Sequence, residues 1–127
     1  MKRDPRIIIV EDDRDLAIYI RSEFRMNGYE AYKAHSAEEC IKKMEELDNK
    51  VEAIAIDGKT ATDRGAMLIV NIKKRNPSIK VFVLADRNLE EAKTRVLDYG
   101  ADEFAVKPLS TESFVEKVDR LLIEENL

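Results

Sequence analysis

The chain has 127 residues, a mass of 14.6 kDa and 44% apolar residues, which suits one domain with one hydrophobic core and excludes a disordered chain. Its formal net charge of −4, without a block of basic residues, argues against direct binding to nucleic acid. The single cysteine, Cys40, cannot form an internal disulfide, and no apolar run is long enough for a signal peptide or a membrane span. We therefore expect a cytoplasmic protein, away from membranes, that forms one domain over residues 1–127.

Short apolar runs alternate with longer amphipathic segments five times along the chain. The apolar runs predict buried strands, and the amphipathic segments predict helices. Ser36 with Glu39 forms a capping box, and Gly100 follows the end of a predicted helix. In chain order the predicted elements are a strand at 7–10, a helix at 14–27, a strand at 29–34, a helix at 36–47, a strand at 51–56, a polar loop at 58–64, a helix at 65–75, a strand at 81–84, a helix from about 88 to 99, a strand at 103–106 and a helix from about 111 to 122.

Strands that alternate with helices imply a parallel sheet whose strands are joined by crossovers. We therefore predict an α/β fold with a doubly wound sheet of five parallel strands, flanked by five helices. In such sheets, ligands bind outside the carboxyl ends of the strands, where the strand order reverses. The residues that follow each strand are therefore the candidates for chemistry.

The predicted strand ends carry three carboxylates and a lysine. Glu11 and Asp12 follow the first strand, Asp57 the third, Ala85 the fourth and Lys107 the fifth. Three adjacent carboxylates repel one another, and Mg²⁺ is a suitable counter-ion. An aspartate beside Mg²⁺ and a lysine is well placed to attack a phosphoryl group. Each residue alone also has an ordinary explanation, as a helix cap, a turn or a solvated charge.

Three motifs, in this order, resemble the response regulator receiver family. They are Ile-Ile-Ile-Val-Glu-Asp-Asp near the start, Asp57 after the third strand and Phe-Ala-Val-Lys-Pro near the end. The resemblance extends over about residues 6–122 and implies the flavodoxin-like receiver fold. It also implies that Asp57 accepts a phosphoryl group from a histidine kinase or a phosphotransfer protein, and that Glu11, Asp12 and Asp57 hold Mg²⁺.

The resemblance implies further roles at and beyond the site. The main-chain carbonyl of Lys59 is expected to contact the metal, and Lys107 to pair with the phosphoryl group. The bond from Lys107 to Pro108 is expected to be cis. Phe104 falls on the family's aromatic switch. We expect a monomer or weak homodimer that signals by binding a separate effector protein around the fourth and fifth helices and the fifth strand, and no enzymatic activity beyond phosphoryl transfer and slow hydrolysis.

The sequence departs from the family at its switch. Ala85 stands where the family carries Thr or Ser, and a methyl group cannot donate a hydrogen bond. A shifted register would place Asp86 there, and its carboxylate would repel a phosphoryl group. Ala61 replaces the family's usual proline. Thr60 and Thr62 offer a hydroxyl from the next loop, but the sequence does not show whether either points inward.

Two other classes of function compete with a phosphorylated receiver. Ala85 favours a receiver-shaped interaction module that works without phosphorylation, whereas the complete acidic set favours phosphorylation. A Mg²⁺-dependent hydrolase is disfavoured, because Glu11-Asp12-Asp13 after the first strand does not provide an Asp-x-Asp in the right place and the chain lacks a cap domain to enclose a substrate. His35 precedes a capping serine and is expected away from the acidic edge, and without a second histidine it predicts no zinc site.

Overall fold

The computed structural model describes residues 3–62, 65–107 and 109–125. Five parallel strands form one sheet in the order β2-β1-β3-β4-β5. The predicted strands are confirmed, each boundary within two residues of its expected position. The strands are β1 (Arg6–Val10), β2 (Glu30–Ala34), β3 (Ala53–Asp57), β4 (Lys80–Ala85) and β5 (Glu103–Val106).

Helices connect the strands, as expected, but the described ranges contain six α-helices rather than five. They are α1 (Arg14–Met26), α2 (Ala37–Glu46), α3 (Gly58–Thr62), α4 (Gly65–Arg75), α5 (Lys93–Asp98) and α6 (Thr111–Glu125). A 3₁₀ helix (Arg87–Ala92) precedes α5, so the helix expected from residue 88 is divided into two parts.

The additional helix, α3, replaces the first part of the predicted polar loop. Two local contacts and one buried side chain favour it. The Thr60 N–H donates to Asp57 Oδ1 at 3.0 Å, and the Thr62 hydroxyl donates to the Gly58 carbonyl at 2.9 Å. Ala61 is buried against one face of the sheet. The prediction of a loop was wrong because it considered only polarity and not these contacts.

The β strands present alternate side chains to two apolar layers. Ile7 and Ile9 of β1 face a cluster formed with α1 and α6, whereas Ile8 and Val10 face a cluster formed with α2, α4 and α5. This alternation follows from the two-residue period of a strand. The sheet is therefore covered on both faces, which explains why its central strands are almost entirely apolar.

The helix boundaries agree with the capping residues in the sequence. The Ser36 hydroxyl accepts from the Glu39 N–H at 3.2 Å, and the Ser110 hydroxyl accepts from the Ser113 N–H at 3.0 Å. Gly100 follows α5 with a φ of 118°, as its predicted position beyond a helix end requires. In the described part of the chain, no helix combines the length and apolar character needed to cross a bilayer.

Candidate functional site

The acidic residues meet where the order of the strands reverses, between β1 and β3. Glu11 immediately follows β1, Asp57 ends β3, and the pairing of Val10 with Ile56 brings the two strand ends together. Carboxylate oxygens of Glu11, Asp12 and Asp57 all lie within 4.8 Å of one another. The structure therefore brings together the three carboxylates that the sequence predicted at this edge of the sheet.

Two of these carboxylates are buried, and the third is exposed. Glu11 is 6% exposed and Asp57 8%, whereas Asp12 faces solvent. Burial first, and then the charge of Asp57, raise the pKa of the Glu11 carboxyl to about 7. The hydrogen bond from the Asp13 N–H and the charge of Lys107 oppose that rise. The cluster thus holds more negative charge than its surroundings stabilise.

A cavity of about 150 Å³ adjoins two of the three carboxylates, Glu11 and Asp57. Glu11, Asp57 and Lys107 line its polar side. The rest of the lining is mainly apolar and comes from β1, β3, β4, α1 and α6 and the chain around them: Ile9, Val10, Leu16, Ile20, Ala55, Ile56, Leu84, Leu109, Thr111 and Phe114. This apolar wall is the physical reason for the poor solvation of Glu11.

Both predicted lysines lie at this edge of the sheet and contact exposed aspartates. Lys107 Nζ lies 3.7 Å from Asp86 Oδ1, and the Lys107 N–H donates to the Ala85 carbonyl at 2.8 Å. Lys59 Nζ lies 3.8 Å from Asp12 Oδ2. The Lys59 carbonyl, predicted as a metal contact, accepts a long hydrogen bond of 3.4 Å from the Thr62 hydroxyl. Pro108, whose preceding bond was predicted to be cis, lies outside the described residues.

Asp57 receives two hydrogen bonds from one residue, Thr60. The Thr60 N–H donates to Oδ1 at 3.0 Å and its hydroxyl donates to Oδ2 at 2.8 Å. The first bond makes Asp57 the cap of α3. The second shows that the Thr60 hydroxyl points toward the acidic cluster, which the sequence left open. The sequence offered one signal for this contact: Thr60, with its hydroxyl, stands three residues after Asp57, the cap of the helix.

Ala85 lies at the end of β4, fully buried and close to Gly58. A Cβ atom added to Gly58 would lie 2.5 Å from Ala85 Cβ and 2.7 Å from Ala85 Cα. Ala85, rather than Asp86, thus lies at the end of β4 beside Gly58, whereas Asp86 follows the strand and is exposed. Phe104, the predicted aromatic switch, is 7% exposed on β5 and belongs to the same apolar cluster as Ala85.

His35 lies at the acidic edge, contrary to the prediction. Its ring Nδ1 is 3.1 Å from the main-chain carbonyl of Glu11, and its main-chain N–H donates to the Glu39 carboxylate at 3.2 Å. The reason is topological: His35 follows β2, and β2 pairs with β1 in register at Ala34 and Val10. The sequence order placed His35 correctly after a strand but did not show that this strand neighbours β1.

The donor set fits a hard divalent cation. Mg²⁺ prefers carboxylate oxygens supplemented by carbonyls and water, and the cluster provides three carboxylates with one side open to solvent. The raised pKa of Glu11, caused first by burial and then by the charge of Asp57, indicates that the nearby lysines compensate only part of the negative charge. A cation would compensate the rest.

Comparison with known proteins points to one family. A sequence model described as a response regulator receiver domain matches residues 7–119. The transcriptional regulatory protein PrrA of Mycobacterium bovis is 27% identical over 118 residues, which is 93% of this chain and 50% of that protein. The transcriptional regulatory protein AruR of Pseudomonas aeruginosa is 26% identical over 121 residues, or 93% of this chain and 49% of AruR. The chain thus spans about half the length of these curated relatives.

Solved structures show the same fold. A CheY-like response regulator receiver domain protein from Methanospirillum hungatei JF-1 matches with a TM-score of 0.83 and 26% identity, over 96% of both chains. A response regulator receiver domain protein from Clostridium thermocellum matches with a TM-score of 0.85 and 20% identity, over 96% of this chain and 97% of that one. The second likeness bears on the fold alone.

Proposed function

Because the chain belongs to the family of response regulator receiver domains of two-component systems, we propose that Asp57 accepts a phosphoryl group from a histidine kinase or a phosphotransfer protein. Phosphorylation of an aspartate and Mg²⁺ binding at an acidic pocket are general to this family. In this chain the acceptor is Asp57, the last residue of β3, and the metal ligands are Glu11, Asp12 and Asp57.

One observation carries the proposal above the others. Asp57 is a buried carboxylate whose oxygens lie within 4.8 Å of those of Glu11 and Asp12, at the switch point of the sheet. If these residues served only as helix caps, their three carboxylates would not need to converge beside an apolar cavity. Groups of residues that destabilise one another's charges are found most often at functional sites.

Each residue then has a role in phosphoryl transfer. Mg²⁺, held by the three carboxylates and the Lys59 carbonyl, would neutralise the negative charge of the transferring group. An oxygen of Asp57 attacks phosphorus. Lys107, on the polar side of the cavity, swings from Asp86 to the phosphoryl oxygens and stabilises them. The protein itself turns over no free substrate, and its output is an altered surface around α5, β5 and α6 that a separate effector binds.

The test is phosphorylation with a small donor. The protein is incubated with acetyl phosphate and Mg²⁺, and its intact mass is measured. We expect the increment of one phosphoryl group, which disappears without Mg²⁺ or in Asp57→Asn. Asp98→Asn, which changes an exposed aspartate on α5, is the matched control and should keep the increment.

A phosphorylation-independent interaction module is the second candidate, and a specific observation favours it. Position 85, at the end of β4, carries a fully buried alanine, so the family's usual hydroxyl is absent there. Under this alternative the wild-type protein shows no increment with acetyl phosphate or with other small phosphodonors. It then binds its partner equally well with and without Mg²⁺.

A further inference from the structure

The hydroxyl of Thr60 lies against the acceptor carboxylate, 2.8 Å from Asp57 Oδ2. We propose that this hydroxyl is the donor that holds the phosphoryl group on Asp57, in place of the side chain at position 85. The inference rests on the proposed function, because it concerns the phosphorylated form of Asp57. It moves the phosphorylation sensor from the end of β4 to the short helix α3.

Position 85 cannot supply this donor. Its side chain is a methyl group, which carries no hydrogen-bond donor. Thr60, in contrast, is half-buried, carries the required hydroxyl and already contacts the reacting group. In the described part of the chain, Thr60 is the residue whose hydroxyl donates to an oxygen of Asp57.

The chemistry distinguishes the two donors of Thr60. With acetyl phosphate, Asp57 Oδ2 forms a bond to phosphorus, the bond from phosphorus to the acetate oxygen breaks, and acetate leaves with the electron pair. Oδ1 becomes the carbonyl oxygen of the mixed anhydride and keeps the Thr60 N–H, which the backbone of α3 fixes. The hydroxyl is free to rotate, and it turns from the esterified oxygen to a negatively charged phosphoryl oxygen, which is the stronger acceptor.

If Thr60 had only a structural role, its substitution would have a different effect. If its hydroxyl only stabilises α3, then Thr62 is its equivalent, because the Thr62 hydroxyl donates to the Gly58 carbonyl at 2.9 Å within the same helix. Thr62 makes this contact with the backbone, whereas the Thr60 hydroxyl contacts Asp57. Thr62→Val is therefore the matched control for Thr60→Val, with the same change of atoms in the same five-residue helix.

The experiment measures phosphorylation by acetyl phosphate and the affinity for beryllofluoride, which mimics a phosphoryl group on a carboxylate, in the presence of Mg²⁺. We expect Thr60→Val to weaken beryllofluoride binding by about tenfold, as the loss of one charge-assisted hydrogen bond implies. Thr60→Ser and Thr62→Val should bind like the wild type. The ¹⁹F resonances of the bound beryllofluoride should shift in Thr60→Val and return in Thr60→Ser. Thermal unfolding of each variant checks that it folds.

The outcomes separate the two proposals. A wild type that takes up no phosphoryl group overturns the proposed function and this inference with it. A phosphorylated wild type with unchanged binding in Thr60→Val overturns the inference alone. Equal losses in Thr60→Val and Thr62→Val, or a Thr60→Ser variant as weak as Thr60→Val, also overturn it, because the helix rather than the hydroxyl would then be responsible.

Discussion

Opposite charges pair at the amino-terminal edge of the sheet, whereas three carboxylates converge at its carboxyl-terminal edge, where the two lysines contact exposed aspartates. At the amino-terminal edge, Arg6 Nε lies 2.9 Å from Glu30 Oε2, and Arg3 Nη1 lies 2.9 Å from Glu52 Oε1. The hydrogen bond between Arg6 and Glu30 raises the pKa of the first and lowers the pKa of the second. At the carboxyl-terminal edge, burial and a neighbouring carboxylate raise the pKa of Glu11 instead.

The difference separates charges that serve the fold from charges that serve a ligand. The amino-terminal edge satisfies its own charges, so nothing need be added to it. The carboxyl-terminal edge leaves an excess of negative charge that a bound cation would relieve. A fold optimised only for stability would not gather these three carboxylates, and sites of function commonly carry such a cost. Three predictions test this comparison, in order of decreasing effect.

The largest effect is expected from Mg²⁺. At a Mg²⁺ concentration 100 times its dissociation constant, the free energy of unfolding should rise by about 3 kcal/mol, since the ion binds the folded cluster and not the unfolded chain. The rise is measured by urea denaturation in Mg²⁺ and, separately, in NaCl at the same ionic strength. Chelation with EDTA should reverse the gain.

Glu11→Gln tests whether this stabilisation comes from the cluster. The variant should lose most of the gain with Mg²⁺, whereas Glu116→Gln, at an exposed position on α6, should keep it. Equal stabilisation of both variants would mean that Mg²⁺ acts elsewhere on the protein.

The second effect is a dependence of stability on pH in the metal-free protein. Folded Glu11 keeps its proton up to about pH 7, whereas the unfolded residue loses it near its ordinary pKa of 4.5. The unfolded state therefore binds fewer protons in this window, and the free energy of unfolding falls as pH rises from about 4.5 to about 7. This contribution should be on the order of 2 kcal/mol, because one pKa unit corresponds to about 1.4 kcal/mol and solvent at the open side of the site screens part of the shift.

Urea denaturation in EDTA at pH 5 and pH 8 measures that slope. Glu11→Gln has no proton to release, so its stability should fall less than that of the wild type over the same interval. Glu116→Gln should follow the wild type. A Glu11→Gln variant with the wild-type slope would show that another group is responsible.

The smallest effect is expected at the amino-terminal edge. The buried Tyr29 hydroxyl donates to the Asp119 carboxylate, which joins the start of β2 to α6. Burial, with this hydrogen bond, raises the pKa of Tyr29, so the hydroxyl stays protonated across the ordinary pH range. Tyr29→Phe should lower the free energy of unfolding by about 1 kcal/mol, as the loss of one hydrogen bond implies. Mg²⁺ stabilisation and phosphorylation should not change, and a loss of either would show that the two edges are coupled.

Most of the fold could be predicted from the sequence, because apolar periodicity and the acidic strand ends are local signals. The run at residues 7–10 predicts a buried strand, and Glu11, Asp12 and Asp57 follow from the rule that parallel strands end at one edge. The family resemblance and this rule indicate the same residues. Their convergence within 4.8 Å agrees with both.

The parts that could not be predicted depend on contacts between elements. Helix α3 forms because Ala61 is buried and Asp57 caps it, and neither fact is visible in the polar composition of that segment. His35 reaches Glu11 only because β2 is the neighbour of β1. The inward direction of the Thr60 hydroxyl follows from the rotamer of one side chain, which spacing does not determine.

The close approach of Gly58 and Ala85 also limits how the sequence of this protein can vary. Any side chain at position 58 would meet the Cα of residue 85 at about 2.7 Å, whatever residue stands there, so glycine at 58 is required while the two strand ends keep their spacing. Substitutions at the two positions therefore cannot have independent energies, and their effects on stability will not add. A variant lineage that acquires a side chain at position 58 must move the backbone beside Asp57 at the same step.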